Sequence, residues 1–299
     1  MVYLMRNSLR LAKCFSVIFI FLCPALAKAQ ADETSRSWNR PVKPFRVIGN
    51  IYYVGASDVT SFLITTPEGH ILLDSGFAET VPMIRDNVKQ LGFRLEDIKV
   101  LINSHAHIDH AGGLALLKEM TGAKLMMSEA DAELIANGGR GDFQWGDRFA
   151  YSPAKADHLL RDKDEVKLGG VTMTARLTPG HTKGNTTWTT KVEEGGKQLD
   201  VVFVGSATAP GYKLVGNPKY PDIVADYDYT FRLLKSLRCD VFLAPHGSFF
   251  SMQDKIGRLA KGAKTNPFID PEGYRDYLRW TENAYKQQLQ KEQQAKGGK

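Results

Sequence analysis

At 299 residues with 43% hydrophobic content, the chain is long enough to bury one large core or two small ones. Its formal charge is +6, but the first 29 residues carry four basic and no acidic side chains, which leaves 35 basic against 33 acidic residues, or +2, in the remainder. No basic stripe interleaved with aromatic residues occurs, so neither charge nor pattern indicates a nucleic-acid-binding protein.

The N-terminal segment has the composition of an export signal. Three basic residues precede an apolar stretch, 14–26, and small residues follow in two Ala-x-Ala registers that suit signal peptidase. The stretch is short for a transmembrane span. A lipoprotein signal would use Cys23, but Leu22 occupies the position where a small residue is expected. We therefore expect a signal peptide at 1–29, a single domain at 30–299, and a periplasmic or secreted mature protein.

The first half of the remaining chain, after a segment at 31–44 that is predicted to be polar and loose, begins with three strands, after which helices and strands alternate. The predicted strands are 47–54, 61–65, 70–74, 100–102 and 124–127, and the predicted helices are 82–91, 114–120 and 129–136. Pro67-Glu68-Gly69 forms a tight turn between the second and third strands, which places His70 at the surface. Gly92 ends the first helix.

Residues 137–157 break this pattern, because they are rich in both glycine and aromatic residues. Long loops without secondary structure are often functional. We expect this segment to form a wall over a site; the alternative is a packed surface loop. His158 follows without any ligand-type neighbour and is expected to be structural.

The second half repeats the first in outline. The predicted strands are 166–168, 171–177, 186–192, 199–204 and 241–243, the predicted helices are 227–236, 252–259 and 274–293, and the lysine-rich end is predicted to be disordered. Two α/β halves with their sheets face to face and their helices outside account for this order. Past the leader only Cys239 remains, at the entry to a buried strand, which favours an inert packed thiol over a catalytic one.

Residues that can bind a metal ion are concentrated in the segment from Ser104 to His110, which follows the predicted strand 100–102. Three imidazoles and a carboxylate fall within six residues there: His105, His107, Asp109 and His110. Imidazole and carboxylate are ligands that zinc takes in catalytic sites. Alternate residues of an extended strand end point the same way, whereas the turning chain aims the last two residues at an adjacent point. The spacing therefore predicts two neighbouring metals; the alternative is a solvated histidine-rich loop.

Two further histidines follow predicted strands. His181 lies in the turn Pro179-Gly180-His181, and His246 lies in Pro245-His246-Gly247. A single histidine after proline carries little information. Two such turns, each closing a buried strand, are typical of a site that separate loops of one scaffold complete. We therefore expect both histidines to be metal ligands.

This set of motifs resembles that of the metallo-β-lactamase superfamily, and the resemblance covers nearly all of the chain from Ile51 to His246. It implies an α/β fold arranged as a four-layer αβ/βα sandwich, in which Asp74 braces the metal-binding loops. The superfamily also contains thioesterases, lactonases, nucleases and oxygen-using members, so the fold alone does not fix the reaction.

Ser206 distinguishes these branches. In the thioesterases, lactonases and nucleases an aspartate at the equivalent position bridges both metals, and in the first subclass of zinc β-lactamases a cysteine stands there. Serine is a poor zinc ligand, so the chain is most similar to the third subclass, B3, as Gly216-Asn217-Pro218 and Cys239-Asp240-Val241 also indicate. The cysteine that pairs with Cys239 in some members is lacking near 265–266, which leaves the C-terminal helix without a disulfide.

The resemblance implies two zinc ions. His105, His107 and His181 would hold one, and Asp109, His110 and His246 the other. A zinc-bound hydroxide would then open the β-lactam ring of penicillins, cephalosporins or carbapenems. Asp109 would also act in catalysis by orienting this nucleophile. Ser206 and Thr208 would bind the substrate carboxylate; the alternative is that both hydroxyls only satisfy a turn.

Two other classes stay open. One is another secreted metallo-hydrolase such as a lactonase, which an aspartate at position 206 would have favoured. The other is a non-catalytic zinc-binding protein. In each case we expect a monomer with no nucleic-acid partner and no membrane partner once the signal is removed.

Overall fold

The computed structural model of the protein describes residues 33 and 35–297. The predicted signal peptide, 1–29, lies outside the described residues, as do the last two residues of the lysine-rich end. Residues from Ser35 onward form one unit. No helix of the described segments is long and apolar enough to cross a membrane.

The first sheet has seven strands in the order in which they occur in the chain. They are β1 (Phe45–Ile48), β2 (Ile51–Tyr53), β3 (Phe62–Thr66), β4 (Gly69–Leu73), β5 (Ile98–Ile102), β6 (Lys124–Ser128) and β7 (His158–Leu160). β1 to β4 pair antiparallel, whereas β4 to β7 pair parallel. The parallel half brings the carboxyl ends of β4 and β5 to the same edge.

The second sheet has five strands in the order β12-β11-β10-β9-β8. They are β8 (Glu165–Leu168), β9 (Val171–Leu177), β10 (Thr186–Glu194), β11 (Lys197–Phe203) and β12 (Val241–Leu243). β8 to β11 form an antiparallel meander, and β12 then pairs parallel with β11.

Helices connect the parallel strands and cover both sheets. In the described part of the chain they are α1 (Val81–Gln90), α2 (Ile108–Ala111), α3 (Leu114–Thr121), α4 (Glu129–Ala136), α5 (Ile223–Ser236), α6 (Met252–Ala260) and α7 (Pro271–Gly297). Proline in the first turn of α1 costs no helical hydrogen bond, and Gly92 follows the helix with a φ of 84°, as expected of a C-terminal glycine.

The side chains of the first sheet alternate between two cores. Leu72 of β4 and Leu101 of β5 pack against α1 and α3, whereas Ile71 and Ile102 face the second sheet. The second sheet is buried on both faces, because apolar residues of α5 and α7 join its core. Helices, sheet, sheet and helices give the four layers of an αβ/βα sandwich, so the predicted fold class is confirmed.

Most predicted strands and helices are confirmed, with ends that differ by a few residues. The single strand predicted at 47–54 is wrong, because Gly49 has a φ of +51° and turns the chain into the β1–β2 hairpin. The short edge strand β7 lacks a clear apolar alternation and was not predicted. The final helix continues to Gly297, so the prediction of disorder is wrong up to that residue.

The predictions of a loose segment at 31–44 and of a surface position for His70 are also wrong in part or in full. Within the segment 31–44, residues 35–38 form a helical turn, and the Trp38 carbonyl accepts a hydrogen bond from Asp58 N at 2.9 Å. This contact holds the turn on the body of the protein. His70 is only 7% exposed, because its ring packs edge-on against Phe93 with centroids 5.1 Å apart.

Candidate metal centre

Four strand ends supply the predicted metal ligands and Asp74. These strands are β4, β5, β9 and β12, and each ends directly before a loop that carries at least one of these residues. In α/β sheets the carboxyl ends of strands form the crevice in which ligands bind. The second sheet contributes its two histidine loops to the same crevice, so residues more than 130 positions apart in the chain meet there.

His105, His107 and His181, called the first ligand set, lie together. One ligand atom from each falls within 4.8 Å of those of the other two. His107 Nδ1 and His181 Nε2 are 3.1 Å apart, and the His105 ring centroid lies 4.9 Å from that of His107 and 4.6 Å from that of His181. The three imidazoles therefore converge on a common point.

Asp109, His110 and His246, called the second ligand set, meet beside the first. Asp109 Oδ2 lies 3.3 Å from His110 Nε2 and 3.4 Å from His246 Nε2. The ring of His105 lies 4.3 Å from that of His110, and ligand atoms of His105, Asp109 and His110 also fall within 4.8 Å of one another. The two sets are therefore adjacent, with His105 between them.

The nitrogens that point away from the cluster face oxygen atoms. His105 Nδ1 lies 3.0 Å from Ser104 Oγ, and His181 Nδ1 lies 2.8 Å from the carbonyl oxygen of Thr208. In the second ligand set, His246 Nδ1 lies 2.9 Å from Asp58 Oδ2, and His110 Nδ1 lies 3.6 Å from Asp74 Oδ2. Metal-binding histidines characteristically have such a partner, which fixes the tautomer and the ring orientation.

Burial and mutual proximity shift the pKa values of these groups. Desolvation, together with the neighbouring imidazoles, holds the pKa of His105 and of His181 well below the ordinary value. Burial alone would raise the pKa of Asp109, but His110 and His246 outweigh it and lower that pKa well below its usual range. Burial alone would lower the pKa of His246, but hydrogen bonds to Asp109 and Asp58 raise it to about 9.

His110 provides the test of whether this cluster suits a cation. Both of its ring nitrogens are buried, and neither makes a hydrogen bond to any described residue. Buried polar groups without a partner are rare and costly, whereas a metal ion satisfies such a nitrogen directly. Five imidazoles and one carboxylate are also donors that zinc accepts. The residues present therefore fit zinc.

Asp74 and Asp131 hold the loops of the cluster in place. Asp74 Oδ1 accepts hydrogen bonds from Ser104 N at 2.7 Å and Asn103 Nδ2 at 3.0 Å, and burial raises its pKa to about 6. Asp74 has a φ of 63°, a strained backbone conformation for a non-glycine residue. The bracing role that the resemblance implied for Asp74 is thus visible as hydrogen bonds.

Asp131 of α4 joins the two histidine loops of the first ligand set. Its carboxylate accepts hydrogen bonds from Ala106 N at 3.0 Å, Thr182 Oγ1 at 2.6 Å and Gly184 N at 2.7 Å. A Cβ atom at Gly184 would lie 2.2 Å from Ser128 Oγ, so only glycine permits this approach. One buried carboxylate therefore sets the distance between the loops of His107 and His181.

Comparison with known proteins identifies the family. The sequence matches the family profile described as "Metallo-beta-lactamase superfamily" over residues 54–246, more than half of the chain. The chain belongs to the metallo-β-lactamase superfamily. Within it, the solved structures to which the chain is similar also indicate the subclass.

Native FEZ-1 metallo-β-lactamase from Legionella gormanii is 44% identical and superposes with a TM-score of 0.84, covering 85% of this chain and 98% of that one. BJP-1 of Bradyrhizobium japonicum, described as a subclass B3 metallo-β-lactamase, is 39% identical with a TM-score of 0.82 and coverages of 86% and 97%. The predicted membership of the superfamily and of its third subclass is confirmed.

A more distant relative is the N-acyl homoserine lactonase AttM of Azorhizobium caulinodans. It is 28% identical over 169 residues, which are 47% of this chain and 62% of the lactonase. The match thus spans less than two thirds of that relative's length.

The crevice of this superfamily member opens into a cavity of about 560 Å³. The segment 137–157, called the aromatic loop, supplies Trp145, Phe149 and Tyr151 to its wall, as predicted. Trp38 and Trp280 line it from the N-terminal turn and from α7. Ser206 and Thr208 also line the cavity, with their hydroxyl oxygens 3.1 Å apart.

Asp58, Asp131 and Asp142 contact the ligands or their loops, and sequence reasoning missed all three. Asp58 precedes its partner His246 by 188 positions, and Asp131 lies in an ordinary helical stretch, so no local pattern marks them. Asp142 lies in the aromatic loop, where only the unusual composition gave a signal. Cys239, the one cysteine within residues 33–297, is buried and free; burial raises its pKa to about 12, in accord with an inert thiol.

Proposed function

We propose that this chain is a zinc-dependent β-lactamase that opens the β-lactam ring of penicillins, cephalosporins or carbapenems. The observation that carries the proposal is the second ligand set, in which the Asp109 carboxylate lies between His110 and His246, beside the three imidazoles of the first set. This donor arrangement would complete a second metal site without Ser206. The matches to the two solved metallo-β-lactamases also cover 98% and 97% of those chains.

Two zinc ions occupy the ligand sets in this proposal. The first ligand set would hold one ion through three neutral imidazoles, and the second would hold the other through Asp109, His110 and His246. When bound, zinc would act as a Lewis acid and would lower the pKa of a water molecule from about 15.7 toward about 7. Asp109 is the one carboxylate among the six proposed ligands, and its Oδ2 is placed between two imidazole nitrogens. The Asp109 carboxylate can accept a hydrogen bond from the reacting water and so orient that water.

The two hydroxyls assigned to the substrate face the same cavity. Ser206 and Thr208 line it, and Thr208 Oγ1 lies 3.3 Å from His181 Nδ1, next to the first ligand set. Hydroxyl groups rotate, so each can donate to an anion that enters the cavity. We assign the pair to the carboxylate that β-lactam antibiotics carry beside the ring.

The remaining wall is apolar and aromatic. Trp145, Phe149 and Trp280 line the cavity at some distance along the chain from the ligands, and Trp280 is 54% exposed at its rim. Aromatic walls bury large apolar groups and leave a few polar residues to fix the orientation of the ligand. We propose that these rings bind the side groups of the antibiotic and exclude water from the reacting bond.

The cellular setting follows from the N-terminal segment. We propose that residues 1–29 direct export and are removed, and that residues 30–299 act as a monomeric domain in the periplasm or outside the cell. An exported enzyme of this activity would protect the cell from β-lactam antibiotics before they reach their targets. Growth of cells that express the gene, measured over a range of β-lactam concentrations, would test this protection directly.

Hydrolysis of a chromogenic cephalosporin by the purified protein, with zinc content measured on the same sample, tests the proposed reaction. We expect turnover with close to two zinc ions per chain, loss of turnover on chelation and recovery on adding zinc. Turnover of an N-acyl homoserine lactone without any of a cephalosporin, penicillin or carbapenem would indicate a lactonase instead. Bound zinc without turnover of any of these substrates would indicate a non-catalytic zinc-binding protein.

A further inference from the structure

The outward nitrogen of His107 differs from those of the other histidines in the first ligand set. His107 Nδ1 faces the cluster, 3.1 Å from His181 Nε2, so Nε2 points away from it. That Nε2 is buried and makes no hydrogen bond to the residues that the structure describes. His105 and His181, by contrast, each have an oxygen within 3.0 Å of the outward nitrogen.

A carboxylate oxygen, Oδ2 of Asp142, lies 3.6 Å from this nitrogen. This oxygen is also buried and without a hydrogen-bond partner in the described part of the chain. The side chain of Asp142 is 5% exposed and that of His107 is 13% exposed. Two buried, complementary and unpartnered atoms thus face each other across a gap about 0.7 Å longer than an ordinary N–H···O bond.

The other carboxylate oxygen fixes Asp142 within the aromatic loop. Asp142 Oδ1 accepts hydrogen bonds from Gln144 N at 2.8 Å and Trp145 N at 2.6 Å. The backbone of Asp142 also exchanges hydrogen bonds with Gly146 in both directions, at 3.2 Å and 3.0 Å. This turn directs Oδ2 out of the loop and toward His107.

We propose that Asp142 is the positioning residue of His107, accepting a hydrogen bond from its Nε2 and thereby making the aromatic loop part of the first zinc site. The proposal rests on the zinc ligands assigned above but not on the identity of the substrate. It has two consequences. Removing the carboxylate weakens zinc binding at the first ligand set, and zinc bound there stabilises the loop, because coupling between two sites is reciprocal.

Asp142→Asn tests the proposal, because the hydrogen bonds within the loop fix the orientation of the new amide group. Its carbonyl oxygen takes the place of Oδ1, where it satisfies two backbone N–H groups, so its NH2 group faces His107 Nε2. A donor then meets a donor, while the loop keeps its own bonds. Asp147→Asn is the matched control, since Asp147 accepts a bond from Gly141 N in the same loop, is exposed, and is not part of the cavity wall.

The measurement is zinc affinity at each site, obtained by titrating metal-free protein against a chromogenic chelator. We expect Asp142→Asn to weaken the first site by about tenfold relative to wild type and to leave the second unchanged, whereas Asp147→Asn leaves both unchanged. Equal first-site affinities in the two variants, with two zinc ions bound to wild type, would overturn the proposal but not the proposed function. A wild-type protein that binds no zinc would overturn both.

Trypsin digestion of the wild-type protein gives a second measurement that does not depend on the variant folding. Arg140 and Arg148 are exposed in the aromatic loop and offer cleavage sites on both sides of Asp142. Zinc should slow cleavage at both sites in wild type and in Asp147→Asn, and should lose that effect in Asp142→Asn. Cleavage of the wild-type loop at the same rate with and without zinc would contradict the coupling.

Discussion

The two proposed ligand sets differ in their donor groups and in the residues that face the outward nitrogens of their histidines. The first consists of three imidazoles, and the outward nitrogens of His105 and His181 face uncharged oxygens of Ser104 and Thr208. The second contains the Asp109 carboxylate, and both of its imidazoles are backed by carboxylates, Asp74 behind His110 and Asp58 behind His246. Three carboxylates therefore lie at the second set, whereas the first has Asp142 alone, with Oδ2 3.6 Å from His107 Nε2.

This difference indicates what each set depends on. Three neutral donors bind a cation through geometry, so the first set depends on the loops that hold the rings at the right distance. The second set gains Coulombic attraction in a buried environment, where the effective dielectric constant is low. Removing the charge of Asp109, which is itself a ligand, should thus have a larger effect than removing the charge of a carboxylate that only faces a ligand in either set, and the following predictions test that contrast.

Asp109→Asn should have the largest effect, because it removes the charge that belongs to the second set itself. Asn keeps the shape of the side chain but lacks the second carboxylate oxygen and the negative charge, so the second zinc should bind less tightly. The orientation of the reacting water should also be lost. We expect second-site affinity and turnover to fall together, with turnover lower by about a hundredfold or more. Titration of zinc into the metal-free variant while hydrolysis is followed measures both.

The first zinc should remain in this variant, since no ligand of the first set has changed, and it serves as the internal control. If Asp109 only braced its loop, Asp109→Asn would lower the thermal stability but keep both metals and most of the rate. A two-zinc variant with nearly the wild-type rate would therefore contradict the assignment.

The contrast between the sets also shows what the sequence could predict. His105, His107, Asp109 and His110 lie in one short segment after a buried strand, so local spacing sufficed to predict that they lie together. The two distant histidines needed the additional argument that each closes a strand. The supporting groups gave no such signal, because Asp58 and the Thr208 carbonyl meet their histidines only through the folding of remote loops.

A similar limit applies to the fold. Buried central strands such as β5 and amphipathic helices such as α1 carry strong periodicity and were predicted nearly to their ends. The edge strand β7 and the β1–β2 hairpin depend on pairing with neighbours and on the left-handed Gly49, which apolar pattern alone does not reveal. The helical turn at 35–38 packs against His246 through the ring of Trp38, a contact between remote residues that the sequence pattern does not predict.

Asp58→Asn should have an intermediate effect, confined to the second ligand set. Asp58 Oδ2 accepts from His246 Nδ1 at 2.9 Å while Oδ1 accepts from Ser248 N at 2.7 Å, so an amide can satisfy only one of the two donors. Loss of such a partner of a metal ligand costs about tenfold in affinity. Zinc titration should show this loss at the second site and none at the first.

Asp254→Asn is the control for Asp58→Asn, because Asp254 is an exposed carboxylate of α6 whose ion pair with Arg258 lies at the surface. It should leave both zinc affinities at wild-type values. Equal loss at both sites in Asp58→Asn would mean that Asp58 supports the whole cluster, and the contrast between the sets would then not extend to their supporting residues.

Ser206→Ala should have the smallest effect and should spare both ligand sets. Ser206 Oγ lies 3.1 Å from Thr208 Oγ1, and Thr208 is the residue whose carbonyl faces His181. If the hydroxyl binds the substrate, its loss removes one hydrogen bond of about 1 kcal/mol, which raises KM about fivefold. Because the bond is present before and during the reaction, kcat should change little.

Ser152→Ala is the control, since Ser152 is exposed and lies outside the cavity wall. It should change neither KM nor zinc content. A Ser206→Ala protein that retains two zinc ions with an unchanged KM would show that the hydroxyl only satisfies the turn. Loss of one zinc would show that Ser206 is a ligand, and the division into two sets of three would then be wrong.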